Sequence, residues 1–181
     1  MKILAFTGSL RKESFNLKLL KIAQKIVVEE IEIEIFDLSK IPFYNQDLET
    51  VPFEVNQFIE AIKKADGFLI ATPEYNYSIP PVLKNALDWA SLDDAEPLSG
   101  KVAAIMSASP SMLGGARAQY HLRQVAVGLD LSILNYPEIF ISKAHDKFDV
   151  DGNLKDEFGL KMIKDLLINL KENIEQKKKV Q

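Results

Sequence analysis

The chain alternates two hydrophobic patterns about five times. KILAFTG (2–8) is a short run, apolar on both sides and ending in glycine, as a strand buried in a parallel sheet does. FNLKLLKIAQKIVVEE (15–30) then sets Leu17, Leu20, Ile22, Ile26 and Val27 at helical spacing. IEIEIFDL (31–38) alternates with period two, which predicts a strand nearer the sheet edge. VPFEVNQFIEAIKKA (51–65) returns to helical spacing, with Phe58, Ile59 and Ile62 inward. DGFLIATP (66–73) and KVAAIMSAS (101–109) read as two more buried strands. Between them PVLKNALDWASL (81–92) is helical, with Pro81 in the first turn, where its missing N–H costs nothing. A helix over 114–129 follows a glycine pair, and LSILN (131–135), joined by EIFI (138–141), forms the last strand region. An amphipathic helix over 154–176 closes the chain, with 176–181 as a fraying tail.

Strands alternating with helices demand crossovers on both faces of a parallel sheet. The pattern therefore predicts an α/β, doubly wound, five-stranded parallel sheet of flavodoxin-like order, as one domain over 1–181. In such folds ligands bind beyond the carboxyl ends of the strands. Three loops fall there, 8–16, 73–81 and 107–117, so one site assembled from all three is expected.

Composition narrows the class. A net charge of −4 and a pI near 5.3 mark neither a nucleic-acid binder nor a membrane-surface protein. No apolar run approaches the roughly 20 residues of a membrane span, and the N-terminal apolar run is too short for a signal-peptide core. The sequence has no cysteine, which excludes disulfides, thiolate metal sites and cysteine nucleophiles and fits a reducing cytoplasm.

The loops carry the chemistry. In GSLRKESFN (8–16), Gly8 lets the chain turn sharply, Ser9, Ser14 and Asn16 bring side-chain donors, and Arg11 can pair with an anion. A helix start behind them presents free N–H groups, so the loop reads as a phosphate cradle; the alternative is that Ser14 only caps the helix. It is neither a Walker loop nor the G-x-G-x-x-G dinucleotide fingerprint. In PEYNYSIPP (73–81), Tyr75 and Tyr77 offer flat apolar surface, Pro73 and Pro80 offer rigidity, and the backbone offers amides. Those are the requirements for holding a flat heteroaromatic ring, although a proline-stiffened connection would look similar. SASPSMLGGAR (107–117) has small residues and a glycine pair that permit close backbone approach to a ligand, as would any flexible turn.

Other chemistries find no support. There is no G-x-S-x-G elbow; His121 falls inside a helix, on its surface or at an interface, and His145 in a solvated polar segment. DKFDVDGNLKDE (146–157) resembles a calcium loop, but Lys147 stands at the first ligand position and Phe158 where the bidentate glutamate belongs. It is an Asp-Gly turn, and no metal is expected.

GSLRKESFN and PEYNYSIPPVLKNALDW, in this order, resemble the two signature segments of the NADPH-dependent FMN reductase family, flavodoxin-like quinone, chromate and azo reductases. The resemblance spans nearly the whole chain. It implies that Ser9, Arg11, Ser14 and Asn16 hold the FMN phosphate, with backbone N–H groups from Phe15 and Leu17. It implies that Pro73, Glu74, Tyr75 and Asn76 follow the ribityl chain and ring edge, and that Ser107 approaches the ring from the next strand. Where relatives often have glycine after the SP of the third loop, this chain has Ser111, and Pro81 replaces a residue that is often smaller. The implied activity is an NAD(P)H-dependent oxidoreductase, with NADPH or NADH as donor and a small-molecule acceptor such as a quinone. Hydride passes through the flavin in a ping-pong cycle, so no catalytic side chain is required. The implied assembly is a homodimer or homotetramer, with Arg117, Tyr120 and Glu138 as candidate contacts between subunits or simply solvated residues. The competing readings are a non-enzymatic flavodoxin-type electron carrier and a flavin-binding module without turnover.

Overall fold

The computed structural model describes residues 1–26 and 28–179; Val27 of the expected first helix and Val180 and Gln181 of the expected tail lie outside the described residues. Its strands are β1 (Lys2–Thr7), β2 (Glu32–Phe36), β3 (Gly67–Ala71), β4 (Val102–Ala108), β5 (Ser132–Ile133) and β6 (Ile139–Ile141). Its helices are α1 (Phe15–Lys25), α2 (Phe53–Lys64), α3 (Pro81–Ala90), α4 (Ala116–Gly128), α5 (Ala144–Lys147) and α6 (Glu157–Lys178), with a short 3-10 turn over Leu38–Lys40.

The sheet is parallel, in the order β2-β1-β3-β4-β5, which is the flavodoxin-like winding the alternation predicts. The fifth position is shared: β5 pairs with Val102 and Ala103 at one end of β4, and β6 pairs with Met106 to Ala108 at the other. Pro137 lies in the intervening stretch, where it lacks the N–H a ladder needs, so one expected strand region becomes two short pieces. β2 is the opposite edge, as its alternating pattern indicates, while β3 and β4 are buried at every position.

Two apolar layers follow from the alternation of side chains along the strands. Ile3, Leu69 and Met106 face α1 and α6, meeting Leu19, Leu20, Ile163 and Leu167. Leu4, Phe6, Phe68 and Ile70 face α2, α3 and α4, where Phe6 meets Phe58 edge-on at 5.5 Å between ring centroids. Phe58, Ile59 and Ile62 are buried on α2, and Pro81 opens α3 after Pro80. α6 runs to Lys178, beyond the point where fraying is expected, because Lys177 reaches Ser132 Oγ (3.0 Å) and Lys178 pairs with Asp66 (2.5 Å). α1 is correspondingly shorter than its hydrophobic pattern, since the chain turns extended at Ile26 to reach the edge strand.

Candidate functional site

Because the strands run parallel, the segments leaving β1, β3 and β4 emerge on one side of the molecule. The first runs from Gly8 into α1. Gly8 serves close packing: a Cβ there would stand 2.8 Å from Leu83 Cβ and 3.0 Å from Pro80. Ser14 caps α1, its Oγ accepting from Leu17 N (3.2 Å), so the N–H expected to be offered by Leu17 is already taken. Among the described residues, the backbone N–H groups of Leu10, Arg11, Lys12, Phe15 and Asn16 donate to no protein acceptor. Phe15 and Asn16 are orphan donors of the kind a helix start leaves, and the three loop donors before them sit at the exposed Arg11 and Lys12. Glu13 pairs with Lys18 (2.8 Å), and that hydrogen bond holds its carboxyl below the usual glutamate range. Phe15 packs on Phe148, with centroids 5.2 Å apart.

Asn16 does something the sequence does not announce. Its side chain is buried, with Nδ2 donating to Ala108 O (3.0 Å) and Oδ1 accepting from Ala108 N (2.9 Å). The amide thus brackets the start of α1 to the carboxyl end of β4, using one Nδ2 hydrogen and Oδ1, while its backbone N–H donates to no protein acceptor among the described residues.

The second segment leaves β3 through buried Thr72 and Pro73. Tyr75 and Ser78 exchange both backbone hydrogen bonds (2.9 and 3.0 Å), with Asn76 at φ 49° and Tyr77 at φ 70° between them. This is a two-residue turn of the mirror-image type that hairpins prefer, built without glycine. Asn tolerates such a backbone; an aromatic residue is an outlier there. The Tyr77 ring is held by the Arg117 guanidinium, which stacks 3.7 Å from its centroid. The same guanidinium binds Glu74 through Nε and Nη2 (both 2.5 Å), while Arg117 N donates to the other carboxylate oxygen (3.1 Å). Glu74, only 6% exposed, is therefore a buried carboxylate satisfied by α4. Ser78 Oγ lies 2.7 Å from His121 Nδ1, so both roots of the hairpin are tied to α4. The N–H groups of Glu74, Asn76 and Tyr77 find no protein acceptor among the described residues.

The third segment follows β4. Ser107 is fully buried; its hydroxyl donates to Gly114 O (2.6 Å) and accepts from Gln119 Nε2 (2.8 Å), tying β4 to the start of α4. Gly114 (φ 59°) and Gly115 (φ 92°) are required by the backbone turn and by packing. A Cβ on Gly115 would stand 2.7 Å from Ser107 Cβ, and one on Gly114 2.8 Å from the carbonyl carbon of Phe140. Ser111 joins a local turn, its N–H donating to Ser109 Oγ (3.2 Å).

The remaining candidates resolve simply. His145 lies in the short helix α5, exposed beside Asp146, rather than in a loop. In the calcium-like segment Asp149 accepts from Asn153 and Lys147 pairs with Asp156 (2.6 Å), so its carboxylates close a turn. Tyr120 donates to Glu138 on the exposed face of α4 (3.2 Å).

A doubly wound parallel sheet with donor-rich loops gathered at its carboxyl edge defines a flavodoxin-like α/β protein. The chain belongs to the NADPH-dependent FMN reductase family, whose model matches residues 1–146. It is 48% identical over 169 residues to an NAD(P)H-dependent FMN reductase of Pseudomonas aeruginosa, covering 92% of this chain and 91% of that one. It is 46% identical over 178 residues to an NAD(P)H:quinone oxidoreductase of Solanum tuberosum, with 94% and 91% covered. The solved structure of a flavoenzyme NAD(P)H:(acceptor) oxidoreductase from Paracoccus denitrificans superposes with a TM-score of 0.88 at 32% identity, covering 97% of each chain.

Proposed function

We propose that this chain is an FMN-dependent NAD(P)H oxidoreductase that reduces quinones or other small acceptors. The observation that carries the reading is the set of free backbone N–H groups on two neighbouring loops, Leu10–Lys12 with Phe15 and Asn16 on one and Glu74, Asn76 and Tyr77 on the other. Such donors fit FMN, whose phosphate needs a cradle at a helix start and whose ring carbonyls need amides along one edge. When bound, FMN supplies the redox chemistry, taking hydride from NAD(P)H and passing electrons to the acceptor in a ping-pong cycle.

The chain's own residues bind and orient. Ser9, Ser14 and Arg11, with the N–H groups of Phe15 and Asn16, hold the phosphate; Leu17 contributes by satisfying the Ser14 cap. Pro73, Glu74, Tyr75 and Asn76 frame the ring edge, and Tyr75, 42% exposed, presents a flat wall beside it. Asn16 and Ser107 act through the backbone: one sets the start of α1 against β4, the other fixes Gly114. The electron-carrier reading is set aside, because relatives of this identity and coverage are named as reductases.

The cysteine-free composition supports a cytoplasmic location. Exposed Tyr120, Val127 and Tyr136 support assembly into a homodimer or homotetramer through the α4 side, which light scattering will test. For the activity itself, the purified protein will be yellow and oxidise NADPH when a quinone is supplied. FMN removal will abolish the activity and titration will restore it. A colourless protein that cannot be reconstituted with FMN refutes the proposal.

A further inference from the structure

We propose that Gln119, in the first half of α4, is a positioning residue for the flavin site: its buried amide fixes how α4 is turned and thereby sets the Tyr75–Ser78 hairpin against the sheet. This role rests on the reading above that the hairpin frames the ring edge.

Gln119 is 1% exposed, although glutamine is usually a surface residue. Its Nε2 spends both hydrogens, on Ser107 Oγ and on Ile139 O (each 2.8 Å). One amide therefore ties α4 to β4 and to β6, and Ser107 passes the tie on to Gly114 O (2.6 Å), just before the helix starts. Oε1 is left without a partner, the one buried side-chain oxygen or nitrogen so placed among the described residues. Turning the amide over does not help, because Ile139 O is a carbonyl and only an N–H can meet it. An unmade buried acceptor subtracts from stability. The amide thus adds little to the net stability of the fold; what it supplies is direction.

The rest of α4's seating is less directional. Ala118, Leu122 and Ala126 pack on the sheet through apolar contacts, which allow a helix to roll. Arg123, one turn on, adds a half-buried tie to Leu134 O (2.8 Å).

The hairpin hangs from the opposite face. At about 100° per residue, Arg117 and His121 both stand about 160° around the axis from Gln119. Arg117 holds Glu74 and Tyr77, and His121 holds Ser78. A roll of about 10° sweeps a point about 6 Å from the axis through about 1 Å. A displacement of about 1 Å in a group that orients a ligand is costly. Pinned from within by Gln119, α4 keeps the N–H groups of Glu74, Asn76 and Tyr77 in one place.

The test is Gln119→Met, which keeps the length of the side chain but removes both the ties and the orphan; Gln119→Leu is a second variant of different shape. One unmade buried acceptor goes and at most one, Ile139 O, takes its place. The flavin-free variants are therefore expected to keep Tm within about 4 °C of the parent, the scale of one hydrogen bond. In nitrogen–proton correlation spectra of flavin-free protein, the amide resonances of residues 74–78 are expected to move, although Gln119 bonds to none of them. FMN affinity, from fluorescence quenching, is expected to fall about five- to tenfold. In an Arg117→Ala background, where an outer tie is already cut, Gln119→Met is expected to lower it by less than about twofold further. A collapse of Tm, or failure of both variants to fold, makes the amide an ordinary structural tie and overturns the proposal. So do unmoved hairpin resonances, an unchanged FMN affinity, or an equal loss with and without Arg117. A parent protein that binds no FMN overturns the function proposed above instead, and the flavin-free spectra and Tm then still decide whether Gln119 sets the hairpin.

Discussion

Asn16→Ala separates two roles that sequence alone merges. Were the Asn16 amide a phosphate ligand, its loss would weaken FMN binding and leave the flavin-free protein as stable as before. As built, the amide holds both backbone polar groups of Ala108, a residue only 2% exposed. Truncation leaves a buried N–H and a buried C=O without their partner, and each such group costs about 1–3 kcal/mol. Partial entry of water offsets some of this, so the expected destabilisation is about 3 kcal/mol. For a chain of this size about 1 kcal/mol moves Tm by 2–4 °C, which gives a fall of roughly 6–12 °C. The assay is thermal and urea unfolding of the FMN-free protein, followed by circular dichroism, with FMN affinity measured separately by fluorescence quenching. An unchanged Tm in the flavin-free variant, together with weakened FMN binding, refutes the bracket.

Other consequences are as specific. Arg117→Ala strips the buried Glu74 of its partner and bares Tyr77, so FMN affinity should fall about tenfold; Arg117→Lys should not rescue it, since a point charge replaces neither the fork nor the stack. Flavin titration will check both variants. Gly115→Ala adds a Cβ at φ 92° against Ser107 and should cost about 2–4 kcal/mol in urea unfolding, more than a surface substitution would. Asp156 is held below its ordinary pKa of 3.8 first by the hydrogen bond from Lys147 and then by capping α6 through Gly159 N. Its contribution is therefore complete above that value and lost as pH falls through the lower folded-state pKa. Asp156→Asn keeps the cap but not the charge. It should cost about 0.5–1 kcal/mol at pH 7 and converge with the parent protein once the pH has fallen below the lowered folded-state pKa, as read from denaturation midpoints.

The fold was legible because period carries it. Buried strands such as GFLIA read as apolar on both sides, edge strand EIEIF alternates, and the helices repeat near 3.6. The location of the site followed from topology, and its loops from their prolines, serines and tyrosines. The division of labour inside those loops was not legible. Asn16 and Ser107 carry polar atoms that look unengaged in a string of letters, yet they bond to partners 92 and 7 residues away. Pairings across such distances have no local signature. Glu74 and Arg117, 43 residues apart, were missed as a pair for the same reason. The glycine pair reads alike whether the space over it belongs to a ligand or to Ser107; only the packing decides.

The Tyr75–Ser78 hairpin has one more consequence. It is a small antiparallel outgrowth on an otherwise parallel scaffold, and its anchors beyond its own backbone, Arg117 and His121, both belong to the first two turns of α4. That helix in turn begins on glycines wedged under Ser107. Strap, helix and wedge are thus joined in one continuous chain of contacts. A substitution beneath the helix start, remote from any ligand, should register as a colour change: a displaced visible absorption band in the reconstituted flavoprotein, read in a cuvette before any rate is measured.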